Sequence, residues 1–151
     1  MYRNRIEVTF DAGHRLLDYP GKCASPHGHT YKAEVFVVTE ELDTLGLGID
    51  FGELKGRCRD WIDRNWDHGF LLNDKDLQLI EAFNNLSEAK IYLFPDQNPS
   101  AEAMACELYG VAEHFGWRVE SVRIWESPSL FAEYAPGGVP TLRQVQKEAV
   151  R

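Results

Sequence analysis

The sequence predicts an α+β domain built on a four-stranded antiparallel sheet with helices packed on one face. Three observations carry this. Residues 3–15 (RNRIEVTFDAGHR) alternate strictly, with Ile6, Val8, Phe10, Ala12 and His14 on one side and Arg5, Glu7, Thr9 and Asp11 on the other. Residues 27–40 (HGHTYKAEVFVVTE) are rich in β-branched and aromatic side chains, as strands are. Helical stretches then separate this strand pair from a second one, RVESVRIWE and LFAEYA, joined by the turn Ser127-Pro128-Ser129. Strands that come in pairs with helices between the pairs favour antiparallel pairing.

The remaining elements follow in order. Pro20-Gly21 and Pro26 mark a loop between the first two strands. Asp50 caps a helix, with Glu53 three residues on as in a capping box. Phe51, Leu54, Cys58, Trp61, Ile62 and Asn65 recur at helical spacing, so this face packs on the sheet and Cys58 is a core thiol. DKDLQLIEAFNNL, residues 74–86, reads as a shorter helix, and KIYLF as a brief extended piece. Ser100 caps a last helix carrying Met104, Leu108, Val111, Ala112 and Phe115, closed by Gly116. Cys106 lies off its apolar face, and His114 stands in its final turn, where a cation suits the helix dipole. The domain is expected over residues 1–135, with a polar tail over 136–151. The sheet's second face and its edges need cover, so assembly with further subunits is expected.

Composition narrows the function classes. A chain of 151 residues with 44% hydrophobic and 26% charged residues builds one sizeable core. A net charge of −8 without a Lys/Arg cluster repels nucleic acid and anionic lipid, so neither is an expected partner. No apolar run reaches the roughly 18 residues of a membrane span, and the N-terminus has no apolar leader-like stretch, so a cytoplasmic protein is expected. Cys23, Cys58 and Cys106 are odd in number and widely scattered, which argues against a disulfide framework.

The chemistry concentrates in GKCASPHGHTY. His27 and His29 are two apart, so a strand points both rings the same way, and Gly28 between them permits close approach of a backbone or ligand. His14 ends the apolar side of the first strand. Three neutral imidazoles with an open fourth position describe a catalytic zinc site, whereas two solvated histidines in a turn are the plain alternative. Cys23 precedes His27 by four residues; a thiol beside a cation ionises readily and serves as base or nucleophile, or else completes a closed structural site. Asp67-His68 follows the long helix: either an acid–base pair in which the carboxylate fixes the imidazole, or a helix cap with an exposed histidine. Glu126 shares a face with Val122 and Ile124, where a carboxylate either pairs with a cation or grips paired N–H donors such as a pterin edge.

Taken together, the segments FDAGHRL, GKCASPHGHTY, GIDFGELK, DHGFLLN, NPSAEAMA and WES resemble the 6-pyruvoyl-tetrahydropterin synthase and 6-carboxytetrahydropterin synthase family, in order and over nearly the whole chain. The resemblance implies the tunnelling fold, with subunits joined into a continuous β-barrel, commonly a homohexamer built as a dimer of trimers with active sites between subunits. It implies that His14, His27 and His29 hold Zn2+, that Cys23 transfers protons with Asp67 and His68 of an adjacent subunit, and that Glu126 grips the pterin, with Ser100 and Glu102 nearby. The implied substrate is 7,8-dihydroneopterin triphosphate, and no nicotinamide or flavin is required. The three-residue gap between Cys23 and His27 resembles the branch that forms 6-carboxytetrahydropterin for queuosine and other deazapurines, with release of acetaldehyde. The alternatives are the pyruvoyl-forming synthase, a zinc hydrolase and a non-catalytic pterin-binding oligomer. Gly69 stands where the family often has a bulkier polar residue, Ala101 where it often has Thr or Ser, and residues 74–97 are longer than in compact members. Lys22, Arg15 and Lys32 are the candidates for phosphate.

Overall fold

The computed structural model describes residues 1–138; the expected tail from 139 onward lies outside the described residues. Among these, six strands and three helices form in the order β1 (Tyr2–His14), β2 (His27–Thr39), α1 (Phe51–Asn65), β3 (Gly69–Asn73), α2 (Leu77–Asn84), β4 (Ile91–Phe94), α3 (Ala101–His114), β5 (Val119–Ser127) and β6 (Leu130–Tyr134). They make one sheet in the order β4-β3-β1-β2-β5-β6.

Four strands had been expected, and all antiparallel. The four predicted strands are present and antiparallel, but β3 joins β1 in parallel and β4 joins β3 in parallel, so the sheet is mixed. Of the two further strands, β4 is the brief extended piece KIYLF of the sequence, while β3 carries no periodic signature for a physical reason. Leu71 and Leu72 of β3 are both fully buried, so GFLLN shows no two-residue alternation, and a short apolar run cannot be told from buried helix by its period.

The core lies between the inward face of the sheet and the helices α1 and α3. Ile6, Val8 and Phe10 of β1, Tyr31, Ala33 and Val35 of β2, and Val122 and Ile124 of β5 meet Leu54, Cys58 and Ile62 of α1 and Met104, Leu108 and Ala112 of α3. Both helices begin on their expected caps: Asp50 accepts the N–H groups of Gly52 and Glu53, and Ser100 accepts that of Ala103. The stripe on α1 starts later than its spacing implied, because Phe51 in the first turn remains 54% exposed. Helix α2 does not join this layer. None of its residues is buried, and its Phe83 ring packs at a tilt against Phe70 of β3.

The opposite face of the sheet is polar and internally compensated. Glu34 pairs with Arg5 and accepts the Trp125 Nε1–H at 2.7 Å, while Arg123 donates to Glu133 at 2.9 Å. Arg123 also lies over the rings of Phe36 and Phe131, and Lys32 over Trp125. Burial works to raise the Glu34 carboxyl, but the Trp125 donor and Arg5 outweigh it and hold the group below its ordinary value.

The loop after β1 is tied down by side chains from the segment before α3. Arg15 forms a two-pronged ion pair with Asp76, whose carboxylate also caps α2 through the Leu79 N–H. The Asn98 side chain accepts the Leu17 N–H at 2.8 Å and donates to the Leu17 carbonyl at 3.0 Å. The stretch 74–97 therefore has a structural duty at the loop. Asp76 is 1% exposed, and burial alone would raise its pKa; the Arg15 fork and the Leu79 N–H reverse this and lower it. A depressed native pKa contributes stability that is complete above the unfolded value of about 4 and is lost as pH falls through the native value. Asp76→Ala is expected to cost about 3–5 kcal/mol at neutral pH by leaving a largely buried cation unpaired, read from urea unfolding. The difference between variant and parent should shrink in acid, below about pH 4.

Candidate active site

The site grows from the register of β1 and β2. His14 is the Cα partner of His27, and Ala12 that of His29, so all three imidazoles meet on the inward face at one end of the sheet. Gly28 is needed there, because a Cβ would press on the Ala12 carbonyl oxygen at 3.0 Å. One ring nitrogen from each histidine lies within 4.8 Å of the others.

The hydrogen bonds fix the tautomers of two rings. His14 Nδ1–H donates to the Pro99 carbonyl at 2.8 Å, and His27 Nδ1–H donates to the Ser25 carbonyl at 2.7 Å. Carbonyls only accept, so both rings carry their proton on Nδ1 and present a bare Nε2. Those two Nε2 atoms face each other at 3.1 Å, and His29 Nε2 is buried without a partner. Lone pairs turned on one another are repulsive unless a cation sits between them. Two nitrogens bound to zinc at about 2.0–2.1 Å in a tetrahedron stand roughly 3.3 Å apart, so the residues fit such an ion. Burial, followed by the neighbouring His27 and His29, lowers the His14 pKa to about 4 against the opposing pull of the Pro99 carbonyl, which keeps the ring neutral and competent as a ligand.

Cys23 sits in a short 3-10 turn, Lys22–Ala24, and its carbonyl accepts the Leu16 N–H at 2.7 Å, which draws the turn back onto the end of β1. A cavity of about 270 Å3 brings Cys23 together with His14, Glu126, Ser100 and Glu102, walled by Leu130, Phe131 and Ala132. Glu126 Oε1 lies 3.9 Å from His14 Nε2. Since His14 is neutral, this is no ion pair, and no Lys or Arg pairs with Glu126 among the described residues. Of the phosphate candidates, Arg15 is engaged by Asp76 and Lys32 lies over Trp125 on the opposite sheet face, whereas Lys22 adjoins Cys23.

Asp67 and His68 do not join that cavity. They stand at the turn into β3, where Asp67 Oδ1 accepts the Asp11 N–H at 2.9 Å and Oδ2 accepts His68 Nδ1–H at 2.8 Å. Burial works to raise the Asp67 carboxyl, but the Asp11 N–H and His68 outweigh it and lower its pKa. His68 is 78% exposed and opens on a separate hollow of about 550 Å3, shared with Asp11, Gly13, Thr30 and Phe70 and bounded by His27 and His29. One residue went unnoticed in the sequence: Tyr31, two beyond His29 on the same strand face. It is fully buried, its ring meets those of His14 and His29 edge-on, and its hydroxyl has no partner. Burial, with Glu126 and Cys23 facing it, raises its pKa. Strand parity alone would have found it.

Three imidazoles, that of His14 buried and neutral, stand beside a thiol and a carboxylate on an open sheet with two covering helices and define an enzyme site with room for a metal ion. The sequence profile described as 6-pyruvoyl tetrahydropterin synthase matches residues 4–137. The chain belongs to this family of enzymes. It is 35% identical over 133 residues to a protein of Rickettsia conorii named 6-carboxy-5,6,7,8-tetrahydropterin synthase, an alignment covering 83% of this chain and 94% of the relative. A protein of the same name from Haemophilus influenzae is 31% identical over 142 residues, covering 89% and 99%. The fold is similar to an uncharacterized protein of Wolinella succinogenes, with TM-score 0.74 and 21% identity over 89% of this chain and 98% of that one. It is also similar to 6-pyruvoyl tetrahydropterin synthase of Caenorhabditis elegans, with TM-score 0.62 and 20% identity over 89% and 94%.

Two outcomes are expected of the cluster. Elemental analysis should find about one zinc per chain, mostly lost in His27→Ala and His29→Ala and kept in Cys23→Ala. In metal-free protein, His14 should titrate near pH 4 by NMR. Its pKa is about 6.5 when unfolded, so the unfolded chain takes up the proton first and metal-free stability falls as pH drops from about 6.5 towards the native value.

Proposed function

We propose that this chain is a zinc-dependent lyase that converts 7,8-dihydroneopterin triphosphate and one water to 6-carboxy-5,6,7,8-tetrahydropterin, triphosphate and acetaldehyde. The observation that carries the proposal is the shared cavity: the three-imidazole cluster opens through His14 onto the same space as Cys23 and Glu126. Relatives named for the carboxy product support that product over the pyruvoyl one. His14, His27 and His29 would hold zinc, which when bound would supply Lewis acidity toward the substrate's oxygens.

The chain's own residues do the rest. Glu126 accepts the paired N–H groups of the pterin, a match of one carboxylate to two donors that fixes the ring in the cavity. Ser100 and Glu102, at the start of α3, border the same ring, although the Ser100 hydroxyl already accepts the Ala103 N–H. Cys23, facing the side chain of the substrate, moves the carbon-bound protons as thiolate and thiol in turn. His68, with its Nδ1 proton held by Asp67, offers Nε2 for the matching proton transfers. Because His68 opens on a different hollow from Cys23, the pair is completed by His68 of a second copy of the chain. Strands β4 and β6 at the sheet's two edges suit such assembly into a barrel, as a homohexamer. In this reading the enzyme works in the cytoplasm and feeds queuosine and deazapurine synthesis.

Incubation with 7,8-dihydroneopterin triphosphate, followed by mass analysis of the pterin and an acetaldehyde assay, tests the reaction. Cys23→Ala and His68→Ala are each expected to lose about 10²–10⁴-fold in kcat with zinc retained. A pyruvoyl product without acetaldehyde would move the chain to the other branch, and unchanged substrate would end the lyase reading.

A further inference from the structure

We infer that Lys90 is a positioning residue that locks the turn at His68 and so aims its imidazole. His68 has a φ of 55°, in the left-handed region that non-glycine residues rarely occupy, and such strain persists only where the surroundings over-determine it. The surroundings here are specific. The His68 N–H donates to the Asp11 carbonyl at 2.7 Å, and the Gly69 N–H to the Trp66 carbonyl at 3.0 Å. Lys90 closes the other side: its ammonium donates to the Asp63 carbonyl at 2.6 Å and the Asp67 carbonyl at 2.8 Å. Asp63 lies in the last turn of α1, where carbonyls have no partner within the helix and a cation is favoured by the dipole. Asp67 is thus held at both ends, by Lys90 at its carbonyl and by Asp11 and His68 at its carboxylate.

Lys90 is itself anchored, since its carbonyl accepts the Phe70 N–H at 2.9 Å just before β4 begins. Its stem crosses over Gly69: a Cβ at that position would stand 3.1 Å from Lys90 Cδ and 3.1 Å from the Trp66 carbonyl oxygen. The glycine after Asp67-His68 and the lysine 21 residues later are therefore one device, with the stem occupying the space a side chain at 69 would take. Two of the ammonium's three protons go to main-chain carbonyls, which assigns Lys90 to the turn and not to phosphate.

The inference rests on the acid–base role given above to His68, and the experiment separates the two. Lys90→Met keeps the stem and removes the charge and both hydrogen bonds. In the assembled, zinc-loaded protein it is expected to lower kcat about 10- to 100-fold with KM unchanged. Lys90→Arg should restore most of the rate, and Gly69→Ala, which displaces the stem, should mimic the loss if Lys90→Met fails to fold. Imidazole ¹⁵N spectra should show His68 protonated on Nδ1 in the parent and divided between tautomers in Lys90→Met. In a His68→Ala background, Lys90→Met should cost nothing further, which a merely structural role would not produce. Parent-like kcat and an unchanged His68 spectrum in Lys90→Met would overturn the inference. If His68→Ala keeps full activity, the acid–base role of His68 falls, and the tautomer spectrum alone then decides whether Lys90 holds the turn.

Discussion

The pairing register of β1 with β2 is the constraint on which the rest depends. Thirteen consecutive residue pairs run from Tyr2 opposite Thr39 to His14 opposite His27. Side chains alternate faces along a strand, so a slip of one residue would send His27 and His29 to the face opposite His14. The register is secured far from the site, where Ile6, Val8 and Phe10 share the buried face with Val35, Ala33 and Tyr31. Burying the larger of those side chains, Ile6, Val8, Phe10 and Val35, is worth about 1.5–3 kcal/mol each, which a slipped pairing would forfeit. The geometry of the three-imidazole cluster is thus held by hydrophobic burial along the whole length of the two strands.

The second half of the site is built from segment ends. The Cys23 turn, the Pro99 carbonyl and the Ser100 cap converge on the end of β1, and none of them belongs to the β1–β2 pair. Their convergence is enforced by polar ties, Arg15 to Asp76 and Asn98 to Leu17. Rigid strands set the imidazoles, and tethered loops bring the thiol and the helix start to them. This division suits a site in which the three imidazoles stay fixed while a ligand enters and leaves.

How much of this was legible in the sequence depended on whether local period carried the information. β1, β2, α1 and α3 announced themselves by alternation, by helical spacing and by Asp50 and Ser100 at their caps. β4 showed only as the extended piece KIYLF and β3 not at all, because Leu71 and Leu72 are both buried and the parallel partners are far apart in sequence. The three histidines were readable from strand parity, and Glu126 from its place beyond Ile124. The separation of His68 from the Cys23 cavity was implied only by the family resemblance and not by local period, since it follows from where β3 docks on β1. Nor was the link of Gly69 to Lys90, which exists only once β4 lies beside β3.

The compensated face of the sheet has a consequence for any ring the chain closes. Arg5, Glu34, Arg123 and Glu133 are already neutralised against one another, and the aromatic rings between them are already covered by cations. In the proposed ring, a lumen lined by such a surface would stay wet, so closure around it would expel little water and gain little dehydration energy. The cohesion of the ring would then come from main-chain pairing at its seams, with its bore acting as a hydrated spacer that adds little adhesion of its own.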